Sequence, residues 1–540
     1  MNRRQMLLGA AAGVAMVGTG AGPLFASEGA DARLKALLER HANALRRFGA
    51  EPGNPVGDRS LAGRVRAHAE NAVRMKELAG IGYDALSPAA RIDHDTAAFV
   101  YGVLDDQLAR PGTVDLDLRP SPYVVSQMNG AYYWLPSRLG TGGSSPEAER
   151  RAYLDNIEAL ARGIDEESER IVHDAGLGVV PPDFILDATL SQLRALRDSA
   201  PAANPLLAPA IAASGTVGAQ ATERFDRLMR PALDRQAQAL HALMPRTSSK
   251  AGVWAQPDGE ATYASSLRAN TTANIAPGDL HRMGQEWVRE LSAEIDHDLR
   301  ALNLTRGSVG ERIAALNTDA RFIQPDTDAG RAEVHRQAKA YLAAARGRAA
   351  RAFDHFVDDP VEVRRMPLTS EDSSPIAFYN GPRDGTSGAV LLNLKKPSDL
   401  PSWRLPTLVH HEGVPGHHTQ AAVLRDAGGL SLFRRTVRFS AWTEGWALYA
   451  EALADEIGAY ADDPFGRIGY LQAQLWRAGR VVVDTGIHHE RWTREQAIAF
   501  MVDTVGELPG PTAREVDRYC VYPGQACCFM VGKQRDSRLA

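Results

Sequence analysis

The sequence predicts a mainly α-helical fold with one small β hairpin or sheet, and three observations predict it. Apolar residues recur at three- and four-residue spacing through most of the 540 residues, the period of a helix with one buried face. Pro, Gly, Ser or Asp stands near most ends of these periodic stretches, where helices start and stop. Short β-favouring runs occur together in one region only, just ahead of a histidine-rich segment.

The first element is an expected export signal over residues 1–26. Arg3 and Arg4 precede an apolar run rich in Ala, Leu, Val and Gly, and a small-residue region follows that ends Pro-Leu-Phe-Ala-Ser. The paired arginines match the twin-arginine type. The apolar run is shorter than the ~20 residues a spanning helix needs and is diluted by Gly, so cleavage near Ala26 is expected rather than stable membrane anchoring. The mature chain is then expected in the periplasm or secreted, as a single helical catalytic domain over residues 27–540.

Helices are predicted over residues 31–46, 60–78, 88–108, 146–174, 182–199 and 214–243, then over 277–302 and 330–357, and through most of 404–531. The exception comprises Ile376-Ala-Phe-Tyr-Asn380 and Ala389-Val-Leu-Leu-Asn393, separated by a Gly-, Pro- and Asp-rich stretch, which predicts a hairpin or two sheet strands.

Composition excludes several classes of function. The net charge is −5, and removing the signal takes away two arginines and no acid, so nucleic acid and anionic membrane surfaces are poor partners. Hydrophobic residues make up 44% and charged residues 24%, enough apolar material for a large core. The only cysteines are Cys520, Cys527 and Cys528. Their number and clustering argue against a disulfide framework and against a cysteine-based zinc site.

The segment His410-His411-Glu412-Gly413-Val414-Pro415-Gly416-His417-His418 packs four of the chain's 15 histidines into nine residues. Neutral imidazoles and carboxylates are zinc ligands, and a Glu beside a ligating His is placed to act as general base on a metal-activated water. His411 and His417 are the preferred pair. On a regular helix a six-residue separation means ~9 Å of rise and an offset of ~120°, too far apart to share one ion. The pair therefore requires a local bulge, which Pro415 and Gly416 could supply. Pairing His411 with His418, or His410 with His417, would put the two rings on one face but farther apart along the axis. The third ligand is expected from a neighbouring helix. There Glu444 lies between Trp442 and Trp446, and Glu451, seven residues on, is expected to hold a ligand histidine.

These segments resemble the bacterial family catalogued as domain of unknown function 885, grouped with the zincin metallopeptidases. The resemblance is carried by Pro122-Tyr-Val-Val-Ser-Gln127, Trp254-Ala-Gln-Pro-Asp-Gly259, Ala377-Phe-Tyr-Asn-Gly-Pro382, the histidine-rich segment, Glu444-Gly-Trp-Ala-Leu-Tyr449, Asp484-Thr-Gly-Ile-His488, and Arg518-Tyr519 with Pro523-Gly-Gln525. It implies a large helical zincin-like fold resembling the helical oligopeptidases and carboxypeptidases of that clan. The three cysteines are not part of the family pattern.

The expected activity is hydrolysis of small peptides by a zinc ion, Zn2+, held by His411, His417 and Glu444, with Glu412 as general base. His488 and Tyr519 are candidate catalytic donors to the oxyanion, with Asp484 orienting His488 from one helical turn away. Arg518 and Tyr522 are candidate substrate-binding residues, and Gln127 and Tyr379 join them through the family resemblance. Hydrolysis of another amide or ester, or metal and peptide binding without turnover, are the competing expectations.

Overall fold

The computed structural model describes residues 24–47, 56–115, 117–134, 146–212, 216–368, 371, 375–382 and 386–539. Residues 1–23 of the expected export signal lie outside the described residues. The expected cleavage point at Ala26 falls in the first turn of helix α1, Leu24–Arg47.

Helices α1, α2 (Leu61–Ala79) and α3 (Pro88–Ala109) share one apolar core containing Leu34, Leu38, Tyr101 and Leu104, and Phe433 joins it from far along the chain. Two of these helices begin where the sequence says they should. Ser60 accepts from the Gly63 N–H, and Ser87 accepts from the Ala90 N–H with Pro88 in the first turn. A two-strand ladder, β1 (Thr113–Val114) against β2 (Pro120–Ser121), follows.

A second core gathers α4 (Pro146–Gly176), α5 (Asp183–Asp198), α6 (Val217–Arg224) and α7 (Arg230–His241). The predicted helix over 214–243 is interrupted by a π-helical turn at Phe225–Met229, where Phe225 and Met229 are both buried.

The remaining long helices are α8 (Gly259–Thr271), α9 (Pro277–Ala301), α10 (Val309–Leu316), α11 (Asp328–Ala352), α12 (Leu405–Glu412), α13 (His417–Asp426), α14 (Ser440–Glu456), α15 (Pro464–His488), α16 (Arg494–Val505), α17 (Pro509–Val521) and α18 (Cys528–Leu539). Helix α15 is their axis. Val481, Val482 and Val483 are all fully buried, and three consecutive positions cannot share one face, so neighbours cover the helix all round. Helix α9 packs along it, and α12, α14, α16, α17 and α18 also pack against it.

The predicted strands appear as β4 (Ala377–Asn380) and β5 (Gly388–Leu392), antiparallel, with Tyr379 opposite Val390. A strand not read from the sequence, β3 (Val361–Arg365), pairs with β5 in parallel and gives the order β3-β5-β4. Its alternation is only two apolar residues deep, Val361 and Val363 inward and Glu362 outward, which is too little pattern to identify it. Helix α11 packs on β3, and α12 packs on the edge strand β4. Helices α8 and α10 were likewise not expected, and α11 stops at Ala352 rather than continuing to 357. No described helix is long and apolar enough to cross a membrane.

Candidate metal centre

The six-residue histidine spacing is accommodated by a break, not by a bulge within one helix. Helix α12 ends at Glu412, four residues turn, and α13 begins at His417. The Gly413 N–H closes α12 on the Val409 carbonyl at 2.8 Å, and the Val414–Pro415 peptide is cis. Gly416 is required sterically: a Cβ there would overlap the carbonyl oxygens of both His410 and His411. The turn is also tied from outside. The Trp446 indole N–H donates to the carbonyls of Pro415 (3.0 Å) and Gly416 (3.2 Å), and His410 Nδ1 donates to the Val414 carbonyl at 3.0 Å. Burial pushes the His410 pKa down to about 4, so this imidazole is neutral and serves the turn.

Turned in this way, the chain brings His411 and His417 together. Their rings lie 5.0 Å apart at 85°, and the Nε2 atoms stand 3.7 Å and 3.6 Å from one oxygen of Glu444 on α14. One ligand atom from each of the three residues lies within 4.8 Å of the others. Zinc bonded to N and O at ~2.0–2.2 Å sets tetrahedral ligand atoms ~3.3 Å apart. Small side-chain rotations therefore bring these three onto one ion.

The arrangement behind the triad fits the same ion. His411 Nδ1 donates to Glu451 at 2.7 Å, which fixes the ring and points Nε2 at Glu444. The other Glu451 oxygen accepts from Gln474 at 2.9 Å, Arg477 lies 3.8 Å away, and Lys533 donates to Gln474 at 2.6 Å. Burial alone would lower the His411 pKa, but the carboxylates of Glu444 and Glu451 push it up to about 9. Burial would likewise oppose ionisation of Glu444, yet His411 and His417 hold its carboxyl well below the usual carboxylate range. Arg477 and His411 also lower the Glu451 pKa, against its burial.

Glu412 ends the helix that carries His411. It is 8% exposed, and its carboxylate has no hydrogen bond or ion pair among the described residues. A buried, unpaired carboxylate beside a candidate ligand histidine is placed to take a proton from water.

The other expected residues, apart from the Tyr519 hydroxyl, which has no hydrogen-bond partner among the described residues, are engaged elsewhere. His418 accepts from the Tyr379 hydroxyl at 3.1 Å and donates to the Asp359 carbonyl at 3.1 Å, so both residues tie α13 to the sheet. His488 spends both nitrogens on backbone: Nδ1 accepts from the Val253 N–H (3.1 Å) and Nε2 donates to the Tyr519 carbonyl (3.0 Å). That leaves no N–H for an oxyanion. The expected Asp484–His488 hydrogen bond is not made either. Asp484 accepts from the Tyr263 hydroxyl at 2.7 Å and the Gly524 N–H at 3.0 Å, an arrangement that locks α8 and the 524 turn to α15.

Tyr519 is buried with its ring under Arg518 and Arg480. Arg518 is occupied by Glu515 (2.8 Å) and Gln525 (2.7 Å), Gln127 donates to the Asp517 carbonyl (3.2 Å), and Tyr522 donates to the Met128 carbonyl (2.9 Å). Sequence reasoning named Trp446 only as a flank of Glu444, and missed Gln474, Arg477, Arg480 and Phe529. Phe529 stacks on His411 with centroids 6.5 Å apart. Arginines three apart on a helix normally mark its solvent face, so only the enclosure of α15 reveals these two.

The family model described as "Bacterial protein of unknown function (DUF885)" matches residues 46–539. The chain belongs to this family. The DUF885 match takes in the whole triad, Glu412 and Glu451. The fold is shared with a crystal structure described as "the putative lipoprotein from Colwellia psychrerythraea", at 28% identity and a TM-score of 0.85 over 95% of this chain and 92% of that one. A structure described as "a putative lipoprotein of unknown function from Shewanella oneidensis" matches at 17% identity with a TM-score of 0.61, over 96% and 93% of the two chains. No curated protein matches this DUF885 chain.

Proposed function

We propose that this DUF885 chain is an exported zinc-dependent peptidase of zincin type that hydrolyses small peptides. The observation that carries the reading is the convergence of His411, His417 and Glu444 beside an unpaired Glu412. Zinc in that position would polarise the scissile carbonyl and make a water molecule a stronger acid. Glu412 takes the proton of the attacking water and hands it to the leaving nitrogen. Glu451 holds His411 in one tautomer, and the Trp446 indole fixes the turn that sets the distance between the two histidines.

The edge position of β4 supports a peptide as substrate. Its outer backbone N–H and C=O groups face no partner strand among the described residues, and it packs against the helix that ends in Glu412, so an extended peptide can add to the sheet and run toward the triad. Export rests on the paired arginines ahead of the apolar run, and two similar structures described as lipoproteins agree with an extracytoplasmic setting.

The test is a comparison of wild type with Glu412→Gln. The variant should keep its zinc and its affinity for peptides and lose about 10²- to 10⁴-fold in turnover. Zinc-loaded wild type that binds peptides but cleaves none would favour a binding protein. Cleavage of esters or other amides with peptides left intact would move the substrate class.

A further inference from the structure

Arg480 is a buried guanidinium, 3% exposed, with no direct ion pair among the described residues; the carboxylate whose charge reaches it, Glu515, is bonded to Arg518 instead. Its one side-chain hydrogen bond is a 3.3 Å contact with the Gln525 carbonyl, which Arg518 already holds at 2.7 Å, and its Nε has no acceptor. The neighbouring arginines are matched: Arg518 by Glu515, Arg477 by Glu451 and Arg119 by Asp115. A fixed positive charge withdrawn from water and not in direct contact with an anion is costly, and an anionic ligand bonded to it would relieve that cost.

Position indicates which anion. The guanidinium lies over the ring of Phe529 at 4.2 Å, with the rings of Trp476 and Tyr519 at 5.2 Å and 5.5 Å, contacts that stabilise the cation without neutralising it. Phe529 is also the ring stacked on His411. Arg480 therefore stands one aromatic ring beyond a residue of the triad. An extended peptide advances ~3.5 Å per residue, so one or two residues past the scissile bond span such a gap. An internal stretch of peptide carries no backbone charge there, whereas a chain end carries a planar carboxylate suited to a guanidinium fork.

We propose that Arg480 binds the C-terminal carboxylate of the substrate, which makes the enzyme a carboxypeptidase releasing one or two residues. This rests on the peptidase reading above. It also replaces the expectation for Arg518, whose guanidinium is already committed to Glu515 and Gln525.

The experiment measures binding of N-acetylated oligoalanine peptides, as free acids and as C-terminal amides, to zinc-loaded Glu412→Gln protein. The same titrations follow with Arg480→Gln or Arg480→Lys added, with zinc content and thermal unfolding recorded for each. The acid should bind about 10- to 100-fold more tightly than the amide, and either Arg480 change should abolish most of that preference while zinc content holds. Equal binding of acid and amide with Arg480 intact would overturn the proposal and leave the peptidase reading standing, whatever becomes of the variants. So would a preference that survives Arg480→Gln. Failure of both zinc and peptide binding would remove the peptidase reading and this one with it. If Arg480→Gln does not fold, Arg480→Lys keeps the charge but loses the fork, and must still lower the acid preference.

Discussion

His411 and Glu451 form a hydrogen bond of 2.7 Å, and it lies on the side of the imidazole away from Glu444. One carboxylate thus fixes the tautomer, orientation and basicity of a histidine whose other nitrogen faces a second carboxylate. Changing Glu451 to Gln should leave all three ligands in place and weaken zinc binding by about 10- to 100-fold. Competition against a chelator of known affinity measures it, and unchanged affinity would contradict the role given to Glu451.

The turn between the histidines predicts a second result. Gly416→Ala places a methyl group against two carbonyl oxygens, so it should separate His411 from His417. Zinc binding should be lost, or the protein should fail to accumulate. Trp446→Phe is milder, because it removes the indole N–H bonds to Pro415 and Gly416 and keeps most of the ring; it should cost about 1–3 kcal/mol of stability and lower zinc affinity.

Helices α14 and α18 cross with their backbones in contact at Gly445 and Gly532, and a Cβ on Gly532 would overlap the Ala441 carbonyl. Gly532→Ala should therefore destabilise the chain by about 1–3 kcal/mol in denaturant titrations and shift Glu444, the residue beside Gly445. Reduced zinc affinity in the folded variant would follow. A variant as stable as wild type would show that the crossing has slack.

Zinc uptake should weaken as pH falls. His411 holds its proton up to about pH 9 in the metal-free chain, and an imidazole must lose that proton to bind an ion. Between about pH 8 and about pH 6 the apparent affinity should drop about tenfold per unit from this one group. Affinity flat across that range would mean that His411 is not a ligand.

The histidine-rich segment and Glu444 were legible because ligand residues are rare and their clustering is informative. The route that joins them was only partly legible. Proline and glycine announced an interruption, but whether the helix bulged or stopped depended on the Trp446 bonds and on Gly416's lack of room for a Cβ, both of which are tertiary. Strands β4 and β5 carried enough β-favouring residues to be read, whereas β3 did not.

Asp484 and His488 show the opposite failure. Their four-residue spacing does put them on one helical face, but α15 has no solvent side, and Tyr263, Val253 and the 519–524 backbone claimed both groups. Arg480 escaped notice for the same reason, since nothing in its local sequence reports that its helix is enclosed.

The most direct test of the account is elemental analysis of protein purified from the export compartment, with His411→Ala and Glu444→Ala prepared in parallel. The account predicts about one zinc per chain in wild type, as expected for a single three-ligand site, and none retained by either folded variant. Folded wild type without a transition metal, or zinc that persists in both variants, would contradict it.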